Sequence, residues 1–150
     1  MNILKGIFGA MCTPFQENGE GIDLKKYYSH IDDLLEAGVH GLVLCSGTGE
    51  YAYLTDEEKQ TLITEGVKHI NGRCLTIAQT TALSTNECIE KARAAEGAGA
   101  SALMVMPPFL EPPSERGVIY HYEAIAKAVQ VPIVMYLSLI HISEPTRRRG

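Results

Sequence analysis

The residues whose types could do chemistry fall at the ends of short apolar runs. Ser46-Gly47-Thr48-Gly49-Glu50 follows one such run. Two glycines around a threonine let the backbone approach a ligand closely, and N–H groups exposed in such a turn can grip a carboxylate. The Thr48 hydroxyl can add one more bond. The same composition also makes an ordinary tight turn, glycine being the default turn residue. Gly47 and Thr48 are therefore the candidate substrate-binding residues. Tyr136 closes the last apolar run. A phenol both donates and accepts a hydrogen bond, so Tyr136 is the candidate catalytic proton relay; standing alone it would read as an interior aromatic. Glu50 is open to two roles, a base or an acceptor for loop N–H groups, and the second suits a turn better.

Other reactive side chains are scattered. Cys12, Cys45, Cys74 and Cys88 match no CxxC pair and no zinc spacing, and they read as reduced thiols, three of them in or at the end of strand-like runs. No two histidines stand at metal-ligand spacing, so no metal and no cofactor is expected. The net charge of −5 argues against a nucleic-acid partner, because a phosphate-tracking surface needs an excess of Lys and Arg. No apolar run reaches the ~20 residues that cross a bilayer, and the first residues carry no secretory pattern. No membrane partner and a cytoplasmic location are the expectation.

These candidates must be held by elements, and the chain alternates between two periods. Ile7–Cys12, Gly41–Cys45, Leu75–Ala78, Ala102–Met106 and Pro132–Tyr136 are apolar without alternation, the pattern of strands buried on both faces of a parallel sheet. Helical stripes separate them. Asp23 is a candidate N-cap for Leu24, Tyr27, Ile31, Leu34 and Leu35, with Gly38 as the stop. Thr55-Asp56-Glu57-Glu58 is a capping box that opens a helix with Leu62, Ile63, Val67 and Ile70 inward. Ser84-Thr85-Asn86-Glu87 resembles a second box, before Cys88, Ile89, Ala92 and Ala95. A fourth helix carries Val118, Ile119, Tyr122, Ile125 and Val129.

The units recur at roughly 30 residues, the length of one βα module. Strict βαβα order defines an α/β class with right-handed crossovers. A doubly wound nucleotide binder should carry a Gly-rich turn after its first strand. Cys12-Thr13-Pro14-Phe15 stands there instead. The favoured architecture is a (β/α)8 TIM barrel truncated after about five strands, with its site on loops at the C-terminal ends of the strands.

Taken in order, the motifs resemble the N-acetylneuraminate lyase and dihydrodipicolinate synthase family of class I aldolases. The resemblance runs from about Gly6 to Tyr136. It rests on Thr13-Pro14-Phe15 with Gly19 and Asp23, Gly38-Val39-His40-Gly41-Leu42, Thr48-Gly49-Glu50 with Leu54-Thr55 and Glu57-Glu58, Gly97-Ala98-Gly99-Ala100, Pro107-Pro108, His121-Tyr122 and Pro132-Ile133-Val134-Met135-Tyr136. It implies a lyase that binds pyruvate or another 2-oxo acid as a Schiff base on a barrel lysine. Thr48 and its neighbouring backbone would hold the carboxylate and Tyr136 would shuttle protons. The parent protein would be a homotetramer.

Two departures bear on the substrate. Where dihydrodipicolinate synthases carry a proton-passing threonine and a second tyrosine, this chain has Gly47 and Leu110. The resemblance therefore points to a branch acting on 2-keto-3-deoxy sugar acids, as aldolase or dehydratase. The Gly-Thr-Gly-Glu turn and the Pro-Pro-aromatic-Leu loop look most like the deoxy-oxoglucarate dehydratase branch.

The segment from Leu137 to Gly150 is what a transposase adapter used in sequencing libraries encodes in one frame. Residues 1–136 are thus expected to be the N-terminal part of a barrel domain and 137–150 a non-native, adapter-derived tail. Lys5, Lys25, Lys26, Lys59, Lys68, Lys91 and Lys127 all read as helix-surface or terminal, so the chain as given is expected to be inactive. Two alternatives stand beside the lyase. One is a non-catalytic barrel fragment acting as a binding or oligomerisation module; the other is an unrelated TIM-barrel enzyme for phosphorylated substrates.

Overall fold

The computed structural model describes residues 4–110 and 113–137. The expected tail at 137–150 lies outside the described residues except for Leu137. Strands β1 (Phe8–Ala10), β2 (Gly41–Leu44), β3 (Leu75–Gln79), β4 (Ala102–Val105) and β5 (Ile133–Met135) alternate with helices α1 (Leu24–Glu36), α2 (Asp56–Ile70), α3 (Thr85–Gly97) and α4 (Glu115–Ala128). All pairings are parallel and the spatial order is β1-β2-β3-β4-β5.

Local chemistry sets the helix starts. The Asp23 carboxylate accepts from the Lys26 N–H, and Thr55 and Glu58 form a reciprocal capping box. Ser84 accepts from the Glu87 N–H, and Ser114, which the sequence reading passes over, caps α4 through the Gly117 N–H. Four of the five strands are shorter than the apolar runs, and β3 extends one residue further, to Gln79. β2 stops at Leu44 because Cys45 turns left-handed, at φ 55°, and leaves the ladder. Ile119 is exposed instead of inward. It sits beside the Val118–Tyr122–Ile125–Val129 stripe, about 100° round the helix from Val118.

The two faces of the sheet separate cleanly. Leu42, Leu44, Ala78, Leu103 and Val105 point to one side and pack with Tyr27, Ile31, Leu62, Ile70, Ala92 and Ile125 of the helices. Val43, Ile77 and Ala102 point to the other, where they meet Leu4, Phe8, Met104 and Val134 and, among the described residues, no helix. A doubly wound sheet has helices on both faces and a reversal of strand order. Helices on one face and a monotonic order define an arc of a (β/α) barrel, with the second cluster as its interior.

Candidate active site

The turn after β2 is built by its own backbone. Cys45 and Glu50 both hold left-handed φ angles, 55° and 60°, on either side of a short 3-10 turn at Gly47–Gly49. Such angles are costly for non-glycine residues and concentrate at functional loops. The Ser46 carbonyl accepts from the N–H of Gly49 at 2.9 Å and of Tyr51 at 3.3 Å. The N–H groups of Gly47 and Thr48, the first two of the turn, donate to no described residue. The turn is anchored from below by Thr13, whose hydroxyl donates to the Gly49 carbonyl at 2.6 Å. A Cβ at Gly49 would lie 2.9 Å from the Met11 carbonyl oxygen, whereas one at Gly47 would meet nothing within 4 Å. A side chain at Gly49 would thus force the backbone to shift, whereas Gly47 has room for one.

This turn forms one wall of a cavity of ≈ 440 Å³ at the C-terminal ends of the strands. Gly47, Thr48 and Tyr136, the three residues singled out from sequence, all line it. Tyr136 follows β5 directly, and its N–H donates to the Val105 carbonyl at 2.9 Å, which fixes its backbone beside β4. Its residue is 43% exposed. The arrangement places two unpaired N–H groups, a hydroxyl and a phenol on one cavity, which suits an anionic ligand that must exchange a proton. Glu50 and Leu110 do not line it; Leu110 is 72% exposed.

Tyr51, Gln79, Met104 and Phe109 are among the other residues of the wall. Gln79 is the last residue of β3. Its inward direction follows from the β3–β4 register, which pairs it with Met104. Its Nε2 donates to the Thr81 hydroxyl at 2.9 Å, and that oxygen also accepts from the Met106 N–H at 2.9 Å. Nothing in the sequence signalled Tyr51. Burial pushes its phenol up, opposed by the Lys91 charge and a hydrogen bond from Gln79.

Behind that wall lies a charged cluster. Lys91 bonds Asp56 at 2.9 Å and Glu87 at 2.6 Å, and Asp56 also meets Lys59 at 3.4 Å. Burial alone would lower the Lys91 ammonium, yet the two carboxylates outweigh it and hold it above its ordinary value. A protonated, doubly paired amine is no nucleophile. Among the described residues no lysine lies on a strand. The four thiols are free, and burial pushes Cys45 up to about 12 and Cys88 to about 11, so neither is a reactive thiolate; Cys12 is exposed.

A parallel barrel arc with a cavity at the carboxyl ends of its strands defines a segment of a TIM barrel. Residues 3–138 match the model of the Dihydrodipicolinate synthetase family, and the chain belongs to that family. A 4-hydroxy-tetrahydrodipicolinate synthase from an Exiguobacterium species is 39% identical over 131 residues, covering 87% of this chain and 44% of the relative. Among solved structures, the dihydrodipicolinate synthase of Aquifex aeolicus superposes with a TM-score of 0.86 at 32% identity, covering 90% of this chain and 45% of that one. The chloride-inhibited enzyme of Acinetobacter baumannii, complexed with pyruvate, gives 0.87 at 34% identity, covering 91% and 46%. The chain thus spans under half the length of the relatives it matches.

Proposed function

We propose that the parent protein acts on pyruvate or a 2-keto-3-deoxy sugar acid through a Schiff base, in aldol chemistry or dehydration. The observation that carries this reading is the meeting of Gly47, Thr48 and Tyr136 on one cavity. A lysine amine adds to the C2 ketone and water leaves. The resulting iminium accepts the electron pair of a breaking C–C or C–H bond. Thr48 and the free N–H groups of Gly47 and Thr48 hold the carboxylate, and Tyr136 carries the proton between substrate and solvent. The lysine belongs to a strand beyond the five seen here, and the 150-residue chain alone is inactive. No cofactor is required. The complete enzyme is a cytoplasmic homotetramer, a location that free thiols suit.

The substrate branch is tested by NMR on the full-length protein given a 2-keto-3-deoxy sugar acid. Aldol cleavage releases pyruvate and an aldehyde; dehydration releases water and a longer oxo acid. Absence of both, with pyruvate also left unaltered alongside aldehydes, would refute the reading.

A further inference from the structure

We infer that Thr13 is a positioning residue for substrate binding, whose hydroxyl holds the Gly47–Gly49 turn where its N–H groups can grip a 2-oxo acid's carboxylate. The inference rests on the proposed carboxylate grip and adds to it the residue that sets its place. The turn fixes its own shape. The Gly49 N–H donates to the Ser46 carbonyl at 2.9 Å and the Glu50 N–H to the Gly47 carbonyl at 3.1 Å, so the ring closes on itself. Those bonds leave open where the ring sits on the barrel. Cys45 and Glu50, which flank it, hold left-handed φ angles of 55° and 60°. Non-glycine residues keep such angles only where the surrounding structure holds them there.

Thr13 supplies a contact of that kind. Its hydroxyl donates to the Gly49 carbonyl at 2.6 Å while Ser46 holds the Gly49 N–H, so the glycine is held on both sides. Gly47 and Thr48 lie within the ring that the Ser46–Gly49 bond closes, and their N–H directions follow it. Thr13 is itself tied down. The Met11 N–H donates to the Val43 carbonyl at 3.0 Å, and the Pro14 carbonyl accepts from the Asp23 N–H at 2.9 Å. Pro14 also confines Thr13 to extended backbone. Thr13 and Gly49 follow β1 and β2, which pair with each other, so their bond needs no strand beyond these five. A methyl carbon stands no closer than about 3.3 Å to a carbonyl oxygen. Thr13→Val therefore pushes the turn outward and misaims its N–H groups, whereas Thr13→Ser keeps the bond.

The test compares half-saturating concentrations for borohydride trapping of pyruvate and of pyruvamide, its uncharged amide, by the full-length protein. Both carry the ketone that an amine attacks, and pyruvate alone carries a carboxylate. The unaltered protein should prefer pyruvate. In Thr13→Val that preference should fall about tenfold, as for one lost hydrogen bond to a charged group. In Thr13→Ser it should persist. A merely loosened barrel would weaken both compounds alike, so a preference that survives Thr13→Val overturns the inference alone. The same loss in Thr13→Ser as in Thr13→Val also overturns it. Should Thr13→Val give no soluble protein, Thr13→Ala decides by the same ratio. Should pyruvamide escape trapping, the pyruvate needed by Thr13→Val against that needed by Thr13→Ser decides. If the unaltered protein traps no pyruvate, the Schiff-base reading falls and this inference with it. If it traps both compounds equally well, the carboxylate grip falls and the inference again with it.

Discussion

The Thr13 hydroxyl donates to the Gly49 carbonyl at 2.6 Å, although 36 residues separate the two in sequence. That bond ties the loop after β1 to the turn after β2, and it forms because Gly49 has no Cβ to hold the Met11 carbonyl away. Gly49→Ala should therefore destabilise the full-length protein by about 1–3 kcal/mol. Gly47→Ala, a few ångströms along the same turn, should stay within about 0.5 kcal/mol. Thermal denaturation of the two variants measures the contrast; equal effects would show that the turn is not held at Gly49.

Thr48→Val removes the hydroxyl from the proposed carboxylate grip and keeps the shape. A hydrogen bond to a charged group contributes about 1.5–3 kcal/mol, so KM for the oxo acid should rise by about tenfold or more with kcat less affected. Steady-state kinetics on the full-length enzyme check this. An unchanged KM would remove Thr48 from the site.

Tyr136→Phe keeps the ring and deletes the proton carrier. A positioned general acid–base contributes about 10²–10⁴-fold, and the loss should appear in kcat. Undiminished turnover would make Tyr136 the interior aromatic that its sequence position also allowed.

The helix caps were legible because capping is local: Asp23, Thr55 with Glu58 and Ser84 satisfy N–H groups two or three residues away. The (β/α) order was legible from the change of period, and Gly47, Thr48 and Tyr136, picked out by residue type at the ends of apolar runs, line one cavity. Strand bounds were less so, since Cys45 looks like one more apolar strand residue until its backbone turns left-handed. Gln79 and Tyr51 were hidden for a different reason. Their place on the cavity depends on register and loop geometry between strands, which no single stretch of sequence encodes. Ile119 failed because an apolar residue beside a stripe is not on it.

His121 is 1% exposed, and its Nδ1 lies 3.0 Å from the Thr85 hydroxyl. Burial lowers its pKa below the ordinary 6.5. Above that value both folded and unfolded chains carry it neutral, and the folded state keeps its full stability. As pH falls through 6.5 the unfolded chain takes up a proton that the folded chain refuses, so stability drops by up to about 1.4 kcal/mol per pH unit. The loss ends once the folded pKa is passed. Melting midpoints between about pH 7.5 and 5.5 should fall more steeply for the unaltered full-length protein than for His121→Gln. Parallel slopes would show that His121 is not the responsible group.

The central claim is that the catalytic amine is not among the lysines of these five strands and four helices. Lys91, the lysine behind the cavity wall, is paired to Asp56 and Glu87 and held protonated, and none of the others described lies on a strand. The full-length protein should be incubated with pyruvate, reduced with borohydride and mapped by peptide mass spectrometry, with the 150-residue chain treated alongside. The expected result is one pyruvyl adduct in the full-length protein, on a strand lysine beyond residue 136, and none in the shorter chain. An adduct on Lys91 or any other lysine of this chain, or no adduct in the full-length protein, would contradict it.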